Sequence, residues 1–225
     1  MEKLPIANRL LAGRELAKRM QVYKDRHDVI AIALPRGGVP VAYEIANILN
    51  IPLDVIIVRK LGLPGQEEFA MGAIASGGVE FLDSDIVSRF DVPTEKIKQI
   101  REQQLAELDR REQIYRGSKK WPVLKKKSVI LIDDGLATGA TMRAAIHAVR
   151  DQGAKKIIVA VPVAPAVMIQ KLSFIVDECI CLATPSPFNS VGQWYVNFSQ
   201  TTDMEVCKLL AVSRQQKWQR EKLSV

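Results

Sequence analysis

Histidine, cysteine and aromatic residues are scarce in this chain: two histidines, three cysteines and 6% aromatics among 225 residues. His27, His147, Cys179, Cys181 and Cys207 do not form the spaced four-ligand set of a structural zinc site. An odd number of cysteines gives no disulfide framework, so the expectation is reduced, structural thiols in a cytoplasm. No apolar run approaches the ~20 residues of a membrane span. The N-terminal MEKLPIANRLLAGRELAKRM is charged and helical, unlike a signal peptide, and no membrane partner is expected. The G-x-G-x-x-G of a dinucleotide-binding turn does not follow the first apolar run, which weakens that reading. Acidic residues fall short of basic ones, 25 against 32, leaving a formal charge of +7. A phosphate-rich ligand accounts for part of the excess. The rest is scattered or sits in KKKS at 125–128 and in the tail RQQKWQREK, which speaks against a nucleic-acid surface.

What the chain has is 48% hydrophobic residues, enough for one core, and neither a repeat nor a low-complexity segment. A single domain over 1–225 is expected. Its centre is VILIDDGLATGAT, residues 129–141. An apolar run is followed by Asp133 and Asp134, a turn of small and hydroxyl residues from Gly135 to Thr141, and a helical pattern, TMRAAIHAVRDQG. Small residues let backbone N–H groups close around an anion, and the following helix adds its positive dipole end. The two carboxylates suit ribose hydroxyls and Mg²⁺, which takes oxygen ligands while keeping several waters.

A second loop of this kind lies earlier. VIAIAL at 29–34 reads as a strand buried on both faces, PRGG at 35–38 as a turn, and VPVAYEIANILN as a helix closed near Asn50 and Pro52. Arg36 can donate several hydrogen bonds to pyrophosphate oxygens, and Gly37 and Gly38 allow close backbone approach. LDVIIVR at 53–59 reads as another buried strand, followed by a loop marked by GLPG. A long polar helix is expected from Pro93 to about Tyr115, with Ile97, Ile100, Leu105 and Leu108 as its buried stripe, Thr94 near its cap, and no chemistry on its charged faces. An N-terminal helix over 6–24 is expected to bury Ile6, Leu10, Leu16 and Met20. KKIIVAVPVA, PAVMIQKL and DECICLA continue the strand–helix alternation of a parallel α/β sheet. The segment after 183 breaks it with prolines and concentrates Phe188, Trp194, Tyr195 and Phe198, rings that either stack on a base or pack the segment on the core. Thr201, Thr202 and Asp203 are expected to cap a last helix.

The DDGLATGAT stretch resembles the 5-phosphoribosyl 1-diphosphate (PRPP) site of type I phosphoribosyltransferases, its loop being nearest to the adenine enzymes. The whole chain, with LPRGGVPVA and VGQWY, resembles a predicted phosphoribosyltransferase group. The resemblance implies a three-layer, doubly wound, mainly parallel sheet with a core over about 25–183, a flexible lid loop over about 60–80, and a small hood from the N-terminal helix and about 184–205. It implies Mg²⁺-dependent transfer from PRPP to a nitrogen acceptor of nucleobase type, with release of pyrophosphate. Asp133 and Asp134 would hold the ribose and, through water, the metal. Ala137, Thr138, Gly139, Ala140 and Thr141 would cradle the 5′-phosphate. Arg36, Gly37, Gly38, Arg59 and Lys60 would take the diphosphate, with Arg36 and Lys60 counted as catalytic beside the two aspartates. Trp194, Tyr195 and Phe188 would meet the acceptor. A non-proline cis peptide is expected at Arg36–Gly37. The lid, Gln66 to Gly78, lacks the glutamate and tyrosine of the adenine enzymes and offers only Glu67 and Glu68. Ala137 stands where the 6-oxopurine enzymes have an aspartate, which argues against their chemistry. The alternative is a silent PRPP-sensing or RNA-binding module on the same fold. A homodimer is compatible with either.

Overall fold

The computed structural model describes residues 4–223. Five parallel strands form the central sheet in the order β2-β1-β6-β7-β8: β1 Val29–Ala33, β2 Leu53–Val55, β6 Ser128–Ile132, β7 Lys156–Val163 and β8 Glu178–Ala183. Alternate residues of these strands feed two hydrophobic clusters, as the period of two requires. Val29, Ala31, Ile130, Ile132 and Ile158 face α1 (Arg9–Arg19) and α2 (Gly38–Leu49). Ile30, Ile32, Val129, Leu131 and Val159 face α5 (Ala140–Asp151) and α6 (Ala166–Ser173). Cover on both faces is why these strands read as unbroken apolar runs. The result is the expected three-layer, doubly wound, mainly parallel fold. Asn50 ends α2 in the left-handed region at φ 53°, and the Glu205 N–H donates to Thr202 Oγ1 at the start of α7 (Asp203–Leu223).

Three elements differ from expectation. The run 53–59 is not one strand: β2 stops at Val55, and β3 (Val58–Leu63) opens a second sheet. That sheet is where a flexible lid loop was expected. β3, β4 (Gln66–Ala75) and β5 (Val79–Leu82) pair antiparallel in the order β3-β4-β5. The turn between β3 and β4 is Pro64–Gly65, with Gly65 at φ 76°, the residues a tight turn favours. Leu61, Leu63, Met71 and Ile74 are buried in the core, and this anchoring makes the segment a sheet. The N-terminal helix runs only from Arg9 to Arg19, and Leu10 is 38% exposed instead of lying in its buried stripe.

Between β5 and β6 the chain forms α3 (Ser84–Arg89) and the long helix α4 (Thr94–Arg116). Pro93 precedes α4 without a side-chain cap, so Thr94 is the first helical residue. Leu108 and Tyr115 of α4 join the core, and Ile97, Ile100 and Leu105 pack against it. Backbone bonds tie residues 6–7 to the segment after β8: Ile6 N–H donates to Trp194 O (2.8 Å), and Val196 N–H to Ile6 O (2.8 Å). No helix among the described residues is long and apolar enough to cross a membrane.

Candidate active site

The chain runs from β1 outward to β2, then returns to the other side of β1 to add β6, β7 and β8. The order therefore reverses between β1 and β6, and ligands of open α/β sheets bind at the carboxyl ends of strands beside such a switch. The turn after β1 holds Arg36, Gly37 and Gly38; the turn after β6 holds Asp133 and Asp134. The two turns touch. A Cβ on Gly37 would lie 2.0 Å from Asp134 Oδ2, and one on Gly38 would lie 2.6 Å from Ile132 O and 2.9 Å from Asp133 Cα. The glycines thus serve first to seat one loop against the other. The non-proline cis peptide is Pro35–Arg36, one residue before the expected position.

Asp133 and Asp134 differ in their surroundings. The half-buried Asp133 accepts the Asp134 N–H at 2.8 Å through its carboxylate. Burial and then the adjacent Asp134 charge push its pKa well up, since both disfavour a second anion. Asp134 Oδ2 accepts Arg9 Nε at 2.7 Å, and the Asp134 carbonyl accepts the Tyr195 hydroxyl at 2.6 Å. Arg9 also donates to Ser199 O at 2.7 Å and lies 3.9 Å over the Phe198 ring. The cation paired with Asp134 is therefore an arginine of α1 that the sequence does not single out. No local signal marks it, because 125 positions separate the partners.

In the small-residue loop, Ala137, Thr138 and Thr141 are exposed while Gly139 is buried. Gly139 caps α5 at φ 67°, with no side-chain hydrogen bond to the helix end. Uncapped N–H groups at a helix start are donors suited to a phosphate. Gly139 cannot carry a side chain easily, since at φ 67° an L residue is strained, and a Cβ would also meet Met168 Sδ at 2.7 Å.

Three cavities divide the sequence-derived residues. Arg59, Lys60 and Thr141 line one of ≈ 720 Å³ with Gly62, Glu67 and an α4 face carrying Lys96, Gln99 and Gln104. Arg59 Nε donates to Gln104 Oε1 at 2.8 Å. The Glu68 side chain lies outside what is described. Arg36, Gly37 and Asp134 line a second cavity of ≈ 350 Å³ with Arg9, Phe198, Gln200 and Thr201. Arg36 also lines a third, of ≈ 360 Å³, with Arg110, Arg111, Tyr115 and Asp203. Phe198 is thus the aromatic of the last segment that lines the cavity holding Asp134. Tyr195 is buried, with its pKa raised by that burial, and the half-buried Phe188 and Trp194 pack on each other at 6.3 Å. Helix α4, expected to carry no chemistry, walls two of the three cavities.

No group of three or more His, Cys, Asp or Glu that could hold a metal occurs among the described residues. A dedicated protein cage is therefore not what Asp133 and Asp134 offer. One or two carboxylates combined with substrate phosphates and water are the usual Mg²⁺ environment, and this pair fits it.

The family model for the phosphoribosyl transferase domain matches residues 65–193. Two curated Mycobacterium tuberculosis proteins, "Putative phosphoribosyl transferase Rv0571c" of strain H37Rv and "Putative phosphoribosyl transferase MT0597" of strain CDC 1551, are each 43% identical over 199 residues, 88% of this chain. The match takes in 45% of each of those proteins, so the chain spans about half the length of the curated relatives it matches. The crystal structure of TT1426 from Thermus thermophilus is similar with a TM-score of 0.81 and 35% identity, over 91% of this chain and 97% of that one.

Proposed function

The chain belongs to the phosphoribosyl transferase family, and from that premise we propose that it transfers the phosphoribosyl group of PRPP to a nitrogen of a nucleobase-like acceptor, releasing pyrophosphate. The observation that carries this reading is the contact between the two loops at the β1/β6 switch point. Arg36 and Asp134 line one cavity, Asp133 lies directly behind Gly38, and the uncapped start of α5 follows the same aspartates in the chain. The acceptor nitrogen gives its lone pair to C1′, the C1′–O bond breaks, and its electrons leave with pyrophosphate. Positive charge develops on the ribose as the bond loosens, and the Asp133–Asp134 pair supplies negative charge beside it. Arg36, Arg59 and Lys60 receive the negative charge gathering on the leaving group. Ala137, Thr138, Gly139, Ala140 and Thr141 hold the 5′-phosphate through backbone N–H groups and hydroxyls. Asp133 and Asp134 would hold Mg²⁺ through water, and the ion would supply positive charge to neutralise phosphate. On the acceptor side Phe198 and Arg9 meet the base, with Trp194, Tyr195 and Phe188 supporting them.

A second reading has one observation in its favour. Arg9 is paired with Asp134 and both are largely buried. A chain in which that pair persists would bind donor without turning it over, as a PRPP sensor. Pyrophosphate release from Mg–PRPP with a panel of purine, pyrimidine and pyridine bases separates the two. Acceptor-dependent release supports transfer. Tight PRPP binding with no release on any acceptor supports the sensor.

A further inference from the structure

Helix α4 brings two arginines to a place where a third already stands. Arg110 and Arg111 line the ≈ 360 Å³ cavity together with Arg36, and Asp203 is the one acidic residue in that lining. Asp203 is already engaged: it accepts the Tyr115 hydroxyl, and Arg36 Nη1 approaches it only to 3.9 Å. Behind the two α4 arginines sits Glu107. Its carboxylate takes Arg110 Nε at 2.7 Å and Nη2 at 3.0 Å, and Arg111 Nε at 2.7 Å. These i,i+3 and i,i+4 bonds fix both guanidiniums on one side of the helix. They use three N–H donors of the ten that two guanidiniums possess, so most remain for a ligand. A fourth cation stands near. The Arg59 pKa is depressed, first by burial and next by Arg111. One helix therefore joins the arginine of β3 to the arginine of the first loop. Gln104, which holds Arg59, and Arg111 are two turns apart, ~10 Å along the axis.

We propose that Arg110 and Arg111, with Arg36, form a binding site for a diphosphate-type anion. Glu107 and Asp203 offset two of the three guanidinium charges, which leaves a net positive cavity with unused N–H donors, and planar guanidinium forks match phosphate oxygens in pairs. The site extends the transferase reading when the anion is the diphosphate of the donor, and to that extent rests on that reading. It stands alone when the anion is a separate phosphate-bearing effector.

The test is calorimetric titration of inorganic pyrophosphate into the wild-type chain, Arg110→Gln/Arg111→Gln and Arg101→Gln. Arg101 lies on the same helix and pairs with Glu80, outside this cavity, so its variant controls for overall charge. The double variant should lose at least tenfold in affinity and show a shallower salt dependence, with Arg101→Gln close to wild type. Equal affinity in the folded double variant, or an equal loss in Arg101→Gln, overturns the site. Arg110→Gln alone, at a side chain 56% exposed, gives the same decision where the double variant is unstable. Competition between PRPP and pyrophosphate assigns the anion to the donor; simultaneous binding assigns it to an effector. Arginine-dependent pyrophosphate binding in a chain that releases none from PRPP removes the transferase reading and leaves the site. Acceptor-dependent release with unchanged pyrophosphate binding in the variants removes the site and leaves the transferase.

Discussion

The crevice has two halves that were built differently. One half is the pair of loops at the ends of β1 and β6. Each is a strand, a short turn and a helix, contiguous in sequence, and their contact depends on two glycines. The other half is the β3-β4-β5 sheet with α4, whose contributions come from residues scattered between 59 and 115 and meet only in the folded chain. The first half places carboxylates and backbone donors with little freedom. The second half places long cationic and amide side chains, held by partners such as Gln104 and Glu107. The difference teaches that a short motif can mark one wall of a cavity, while the facing wall, with its long charged side chains, lies on elements with no motif.

The comparison is broken most severely at the aspartates. Asp133→Asn with Asp134→Asn should lower pyrophosphate release by ~10³-fold, the scale of losing preorganised charge at a transition state. The single change Asp133→Asn should also raise the melting temperature near neutral pH. In the native chain this carboxyl holds its proton to higher pH than in the unfolded chain. The native state therefore binds more protons above the ordinary carboxylate range. Stability falls as pH rises from about 4 toward the raised native pKa, and stays low above it. The asparagine variant should lose that decline. A melting curve that retains it would remove the account of Asp133.

Next come the glycines. Gly37→Ala drives a Cβ into the Asp134 carboxylate, whereas Gly38→Ala meets the backbone at Ile132 and Asp133. Gly37→Ala should displace the side chain and cost turnover roughly a hundredfold. Gly38→Ala should add destabilisation of ~1–3 kcal/mol, as overpacking does. Paired activity and urea-unfolding measurements would show the split, and identical profiles would contradict it.

In the second half, Leu61→Ala should cost about 2–5 kcal/mol, because the side chain is fully buried beneath the sheet. Arg59 and Lys60 should lose their positions with it, so PRPP affinity should fall in the folded population. Denaturant unfolding alongside PRPP titration checks both parts.

The smallest effect separates the aromatics. Phe198→Leu should weaken an acceptor about tenfold, within the range of base–aromatic stacking, and spare PRPP. Trp194→Ala should lower the melting temperature and affect both ligands equally, since that ring packs against Phe188. Acceptor loss confined to Trp194→Ala would reverse the assignment.

Much of the first half was legible because its signals are local. Val129 to Ile132, the acidic pair and the small-residue turn specify strand, crevice and helix start within thirteen positions. The unbroken apolar runs likewise disclosed a sheet covered on both faces. Arg9 was not legible, since an arginine in an amphipathic helix reads as surface until the fold brings Asp134 to it. The strand pairing inside the lid segment was not legible for a physical reason: GLPG marks a turn, but its flanks carry Leu61, Leu63, Met71 and Ile74, which bury the segment as paired strands. Arg110 and Arg111 were hidden by their own helix pattern, in which Glu107 makes them look like ordinary surface ion pairs.

The claim that both halves make one donor site is tested most directly by calorimetric titration of Mg–PRPP into the wild-type chain, Asp134→Asn and Arg59→Gln, with folding checked for each. Asp134→Asn breaks the loop half and Arg59→Gln the helix–sheet half. Each variant should lose at least tenfold in affinity for PRPP, with the loss in Arg59→Gln shrinking as salt is raised. Wild-type affinity in Arg59→Gln would mean that the two loops bind the donor without the second half, and would contradict the account.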